Sequence, residues 1–497
     1  MSDSVIYPYP DNWDLTTLGQ LCSEGGGGIQ TGPFGSQLHA ADYVDVGIPS
    51  IMPKNISIEG ISTEDIAYIT NQDAQRLSKY LVKEGDIVYS RRGDVEKCSL
   101  VTEKENGWLC GTGCLKVSLG IQNKVSPIFI HAYLSHPAVR EWISRHAVGA
   151  TMPNLNTSIL SEVPVLIPPK KEREVIQNTW HDTTNKIILN HQINQTLEQM
   201  AQALFKSWFV DFDPVKAKIS AKDAWINLHG EIPATDSPVY ADYAQSLCVA
   251  AMSVISGKTT AQLEAFATQK PEQYQSLKAT ADLFPDAMQG SELGDVPEGW
   301  GLGTLSNLID FNPKRILKKG VLAPYLDMKN VPTQGHLADD VILREMGSGT
   351  KFINGDTLLA RITPCLENGK TAYVDFLEND EVGWGSTEFI VMRPQVGIPT
   401  SIGYFIARLD SFRNFAIQSM TGTSGRQRAN TKALEDLSWV IYPIGLLEKF
   451  GVLSDSFLKY SRKRHDENQS LTQLRDTLLP KLLSGELSLN KKELNAL

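Results

Sequence analysis

Two Gly-Lys-Thr triplets, Gly257-Lys258-Thr259 and Gly369-Lys370-Thr371, have the residue types of a nucleotide-phosphate loop. Such a loop needs a second glycine a short way upstream, so that backbone amides can wrap the phosphates. Met252 and Pro364 stand there instead, and both triplets fail. The run Gly25-Gly26-Gly27-Gly28 lacks a strand–helix setting for a dinucleotide and reads as a flexible turn. A metal-dependent nuclease needs an Asp followed by Asp/Glu-x-Lys. Asp327-Met328-Lys329 offers the second half, with Asp310 as a distant first carboxylate, and chance accounts for one such tripeptide. The Asn/Asp-Pro-Pro-aromatic stretch of an amino-methyltransferase is absent. His39, His131, His136, His146 and His181 have no motif pairing them with a nucleophile. Cys110 and Cys114 are the one close cysteine pair, without a second pair at zinc spacing. No catalytic residue and no metal ligand is therefore expected. The six cysteines read as thiols of a reducing, cytoplasmic compartment.

What must be positioned is a repeated plan. Residues 148–169, VGATMPNLNTSILSEVPVLIPP, and 421–443, TGTSGRQRANTKALEDLSWVIYP, make the same passage from a small-residue turn to a proline-ended apolar run. Around them PDNWDLTTLGQL (10–21) matches PEGWGLGTLSNL (297–308), and EGDIVYSRRG (84–93) matches NGDTLLARIT (354–363). GTGCLKV (111–117) matches GSTEFIV (385–391), and HQINQTLEQM (191–200) matches HDENQSLTQL (465–474). Four matches in one order make a duplication. Short apolar runs such as IPSIMPKNI, GDIVYSR and CLKVSL read as strands. FIHAYLSHPAVREWISRHA and GYFIARLDSFRNFAIQS each read as a helix. The fold class is α+β, with two duplicated mixed modules.

After each module comes a heptad-spaced helix. One seam is Ile176, Trp180, Thr183, Ile187, Asn190, Asn194, Leu197, Ala201, Leu204 and Trp208; its copy runs from Phe450, Ser454 and Phe457 to Leu478 and Leu482. Apolar ends and a polar centre are the pattern that fixes register in a coiled coil. About 40 residues give a rod of roughly 60 Å. The expected division is a first module over 1–169, a spacer helix over 170–218, a mostly helical insertion over 219–290, a second module over 291–443, and a second spacer helix over 444–497.

A net charge of −10 argues against a protein that grips nucleic acid alone through a broad basic face, while leaving room for local basic loops. The N-terminus has no signal-peptide pattern, and no apolar run of about 18 residues could span a membrane.

ALFKSWFVDFDPVKAK (203–218), SELGDVPEGW (291–300), LRDTLLPKLLSGEL (474–487) and the duplicated ends Ile167-Pro168-Pro169 and Ile441-Tyr442-Pro443 resemble the specificity subunits of type I restriction–modification systems. The resemblance implies a non-catalytic reader of double-stranded DNA in a phage-defence enzyme. Two target-recognition domains would each bind half of a split site. The two long helices would pack antiparallel with pseudo-twofold symmetry as a ruler. Methyltransferase (modification) subunits would dock on the helices and supply S-adenosylmethionine chemistry. A restriction/translocase subunit would bring ATP and Mg. The long 219–290 segment and the missing second proline after Ile441 depart from the family pattern. The rival from composition and heptads alone is a coiled-coil adaptor with two modules for non-DNA ligands.

For a DNA reader, polar residues in Gly- or Pro-bracketed loops are the candidates, since Arg suits guanine and Asn or Gln suits adenine. In the first copy these are Gln30, Thr31, Ser36, Gln37, Lys54, Asn55, Arg91, Arg92, Thr151, Asn154 and Asn156. In the second they are Lys329, Asn330, Arg361, Thr363, Asn368, Lys370, Ser424, Arg426, Gln427 and Arg428. A solvated turn is the ordinary alternative for each, and an ion pair competes at Arg91 and Arg361. An antiparallel helix pair would also bring His191, Asn194, His465 and Asn468 to its centre.

Overall fold

The structure is a computed structural model that describes residues 6–149, 153–378, 380–423 and 426–487. The chain forms two compact units, residues 1–190 with 466–497, and residues 191–465. Two 40-residue helices, Lys170–Phe209 and Ile444–Leu483, each contribute one half to either unit.

In the first unit the module is closed by its own ends. Strand Asp14–Thr17 pairs antiparallel with Pro164–Ile167, and Trp13 Nε1 donates to Glu172 at 3.1 Å. The module's exit thus sits beside its entrance, where Pro168-Pro169 starts the long helix at a position that needs no backbone donor. Between these ends lie two four-stranded sheets. One has the order Gly28–Thr31, Cys114–Ser118, Ile87–Ser90, Cys98–Leu100; the other is Leu109–Cys110, Ile48–Ile51, Ala67–Ile69, Tyr43–Val44. All four residues of Ile87–Ser90 are buried, which explains their unbroken apolar run. Leu115, Val117, Phe129, Tyr133 and Ile143 fill the core with Leu479 and Leu483 of the second long helix.

The expected single helix over FIHAYLSHPAVREWISRHA is two, Pro127–Leu134 and Pro137–His146. Pro137 cannot accept a helical predecessor, so His136 turns extended and its Nδ1 caps Ala138 N at 3.0 Å. The second copy breaks likewise at Leu409, between Ser401–Arg408 and Asp410–Gln418.

The second unit repeats the plan. Gly301–Thr304 pairs with Ser438–Ile441, and a sheet of order Ile309–Phe311, Phe389–Pro394, Thr357–Ala360, Thr371–Tyr373 matches the first unit's. The other sheet runs Ile342–Glu345, Leu322–Leu326, Gly383–Gly385, Thr350–Phe352. Residues 219–290 fall in helices Asp213–His229, Tyr240–Ser256, Thr260–Gln269 and Pro271–Asp282. The last three of these share a small core of Cys248, Ala251, Met252, Leu263 and Ala281. Phe284 then packs edge-on against Trp208 at 5.6 Å, and Lys218 Nζ donates to its carbonyl.

Within each unit the helix halves run antiparallel. In the first, the Arg475 guanidinium lies 5.1 Å from the Trp180 ring, and Asn468 Nδ2 donates to Ile187 O at 3.2 Å. In the second, Asn194 Nδ2 donates to Ser461 O at 3.0 Å, and Phe205 meets Phe450 at 5.3 Å. The expected seam needs a correction at alternate positions. Thr184, Phe205, Leu458, His465 and Leu479 are buried where the heptads gave Thr183, Leu204, Phe457, Arg464 and Leu478. Each helix packs its own module as well as its partner helix, so the buried stripe is wider than a two-position coiled-coil seam.

Candidate nucleic-acid interface

In each module one loop meets one turn. After strand Ile87–Ser90 the chain passes through Arg91 and Arg92. There Arg92 bridges to Asn154, Leu155 N donates to Arg91 O at 2.9 Å, and Gly93 N donates to Pro153 O at 3.2 Å. After Thr357–Ala360, Ile362 bridges to Arg428, Ala429 N donates to Arg361 O at 2.8 Å, and Thr363 N donates to Gln427 O at 3.1 Å. The backbone thus joins segments about 60 residues apart the same way twice, and leaves Arg92, Arg426 and Arg428 exposed. Asn156 and Asn430 cap the short helix that follows: Asn156 Oδ1 accepts from Ile159 N at 2.8 Å and Asn430 Oδ1 from Lys432 N at 3.0 Å. The Asn-Thr pair of the duplicated turn is therefore a helix start.

The remaining candidates separate. Gln30 and Thr31 sit on a strand opposite Lys116 and Leu115. Gln37 Oε1 accepts from Phe34 N and from Tyr80 OH, so its amide is held inside the loop. Asn55 is buried, accepting from Met52 N at 3.0 Å and donating to Glu64 O at 3.2 Å. Ser36 and Lys54 are exposed. In the second module Lys370 Nζ donates to the carbonyls of Met328 and Lys329, and Asn330 Nδ2 to Asp340 O. Lys329, Asn330 and Lys370 thus form one cluster, with Asn368 exposed nearby in sequence. Thr151 and Ser424 lie outside the described residues.

Arg428 is held by Glu388, whose carboxyl its hydrogen bonds draw below the ordinary range. Arg91 lies 5.6 Å from the Phe34 ring. Sequence reasoning missed Arg315 and Lys351, which flank Arg361 in one cleft. The basic tetrapeptide Asn312-Pro313-Lys314-Arg315 follows a short strand, as Gly32-Pro33-Phe34-Gly35 does in the first copy, and that register was the available signal. Of the four helix residues, His191, Asn194 and His465 line one cleft of the second unit. Asn468 belongs to the first unit, where its Oδ1 accepts from the buried Asn190 at 2.8 Å.

Among the described residues no group of three or more His, Cys, Asp or Glu is placed to hold a metal ion, and no helix is long and apolar enough to cross a membrane. Burial pushes the Cys110 thiol up to about 12, which keeps it protonated and unreactive.

Comparison with known proteins bears on this arrangement. The family described as "Type I restriction modification DNA specificity domain" matches residues 10–199. The chain is 27% identical over 444 residues to the type I restriction enzyme HindI specificity subunit of Haemophilus influenzae, covering 84% of this chain and 89% of that protein. It is 29% identical over 206 residues to the EcoEI specificity subunit of Escherichia coli, covering 39% of this chain and 34% of that one. The crystal structure of an S subunit from M. genitalium aligns over 95% of this chain and 96% of its own, at 14% identity and a TM-score of 0.46.

Proposed function

We propose, from its similarity to type I restriction–modification specificity subunits, that the chain is such a subunit and reads a two-part target in double-stranded DNA, one half-site per module. It does so without a catalytic centre of its own. The long helices carry the methyltransferase subunits, and those partners, with a restriction and translocation subunit, bring S-adenosylmethionine, ATP and Mg.

The observation that carries this reading is the twice-built junction of loop and turn. It places Arg91, Arg92 and Asn154 together in one module, and Arg361, Thr363, Gln427 and Arg428 together in the other. The scaffold is the same and the side chains differ, which is what two readers of different half-sites require. At such a rim the exposed guanidiniums of Arg92 and Arg428 and the amide of Gln427 supply donors that match base edges, while neighbouring cations meet phosphates.

The test is an exchange. Residues 1–169 are replaced by the first module of another family member, and methylated sites are mapped in cells that hold the partner subunits. One half-site is expected to change and the other to persist. A change in both halves would refute separable modules.

A further inference from the structure

Beside the Arg361 loop, the second module has a cleft of about 260 Å³ whose lining includes Asn312, Arg315, Lys351, Arg361 and Thr387. Its charges do not cancel. Asp356, fully buried, faces two arginines, Arg315 Nη2 and Arg393 Nη1, both at 3.2 Å. Glu388 is engaged by Arg428 through two oxygens. Lys351 has no ion-pair partner among the described residues, and Arg361 makes no close ion pair there, only a longer-range attraction to the Glu388 carboxylate that Arg428 engages. The Nε atoms of Arg315 and Arg361 are both shielded from solvent and without an acceptor. A shielded guanidinium N–H without an acceptor costs free energy unless a ligand supplies one.

The cleft's walls are fixed. Asn312 turns the chain at a φ of 52°, and its Oδ1 accepts from Val391 N at 2.9 Å. Gly349 lies against the Gly385 carbonyl so closely that a Cβ would stand 2.0 Å from it, so no side chain can enter there. Arg315 reaches the cleft already anchored on Asp356, and the exposed Thr387 adds a hydroxyl at the rim. Fixed cations, spare N–H donors and a hydroxyl suit an oxyanion that carries several acceptors.

The first module lacks this constellation. At the place of Lys314-Arg315 it has Phe34-Gly35, with Arg91 against the Phe34 ring.

We propose that this cleft binds a backbone phosphodiester of the DNA, so that the second module grips its half-site through a phosphate clamp that the first module does not have. The inference rests on the DNA-reading function above and adds to it where the second module's sequence-independent affinity arises.

The test uses the full chain assembled with its modification subunits. Fluorescence anisotropy follows two duplexes, one with the target mapped by methylation sequencing and one with both half-sites scrambled, across a salt series. K351Q/R361Q is expected to make the plot of log affinity against log salt shallower by about one unit, the loss of one phosphate contact. Affinity for both duplexes should fall roughly tenfold and their ratio should hold, since phosphate contacts carry no sequence information. An unchanged slope would overturn the clamp. A collapsed ratio would also overturn it, by making Arg361 a base reader. If the wild-type complex retains neither duplex, the DNA-reading function itself fails, and the clamp with it. Should the double variant not fold, K351Q alone carries the same slope test, because Lys351 has no partner within the described residues to lose.

Discussion

Glu388 and Arg428, 40 residues apart, form a two-point ion pair, with Nε 2.9 Å from Oε2 and Nη2 2.6 Å from Oε1. The pair fixes the plane of a guanidinium at the rim of the second module, where an unrestrained arginine would sample many rotamers. On the proposed DNA-reading function, Arg428 would be held ready for a planar acceptor such as a base edge. E388Q should release it. The expected result in anisotropy is weaker discrimination between target and scrambled duplex, together with tighter binding of the scrambled one, because a negative charge has left the interface. The pH dependence follows from the depressed carboxyl. A lowered folded-state value contributes stability that is full above the ordinary Glu pKa of about 4.3 and is lost only as pH falls through the folded value. Between about pH 5 and 8 the pair should not titrate, and the contrast between wild type and E388Q should stay flat.

Asn190 and Asn468 give a second prediction. Asn190 is fully buried and donates to Asn468 Oδ1 and Glu467 Oε2, each at 2.8 Å, while Asn468 donates onward to Ile187 O. Removing Asn190 leaves the Asn468 acceptor without its donor, and removing Asn468 strands an Asn190 N–H. N190A and N468A should each cost about 1–3 kcal/mol in urea unfolding. N190L/N468L should cost less than the sum, since both polar partners leave together. Strictly additive losses would show that the two amides are not coupled.

The duplication and the long helices were legible because each rests on repeated short-range pattern. Periodicity marked Ile176, Trp180, Ile187 and Trp208, and the Pro-ended runs marked where the helices begin. What was not legible depends on contacts far apart in sequence. Nothing local to Asn55 says that Glu64 accepts from its amide, and nothing local to Gln37 announces Tyr80. The break at His136 was readable from Pro137, whereas the one at Leu409 has no proline to mark it. Arg315 escaped notice because its role comes from Asp356 and Arg361, which a strand and a loop bring to it.

His131 makes the first module acid-sensitive. Its ring is buried edge-on to Trp180 at 5.6 Å, and burial lowers its pKa to about 4. The unfolded chain takes up a proton near pH 6.5, while the folded chain resists until about 4. Stability conferred by the neutral ring is thus present above about 6.5 and lost as pH falls toward 4, up to roughly 3 kcal/mol. His136, stacked on Tyr7 at 4.7 Å and lowered to about 4 as well, acts in the same window. Calorimetry from pH 7 to 4 should find the wild-type midpoint falling more steeply than that of H131Q. Parallel curves would exclude His131 as the source.

The last prediction concerns what holds the second module to the first long helix inside the second unit. Glu198, on that helix, accepts from Tyr404 OH at 2.5 Å and Gln202 Nε2 at 2.7 Å, and its other oxygen lies 3.0 Å from His336 Nδ1. Burial pushes the carboxyl up, but the hydrogen bond and charge of His336, with Tyr404 and Gln202, outweigh it and leave it below the ordinary value. His336 itself is buried, with Asp375 3.9 Å from its other nitrogen. The cluster links the helix to the loop at His336 and to the core helix Ser401–Arg408. E198A would strand a buried phenol and a buried imidazole, and a loss of about 3–5 kcal/mol is expected, as for a buried pair broken on one side. E198Q keeps a carbonyl acceptor for Tyr404 and should lose less. Hydrogen exchange should show where the loss falls, with E198A raising exchange in residues 332–339 and 401–408 and leaving 87–90 in the first module unchanged. A uniform rise across both modules would mean that Glu198 supports global stability and does not act as a local fastening.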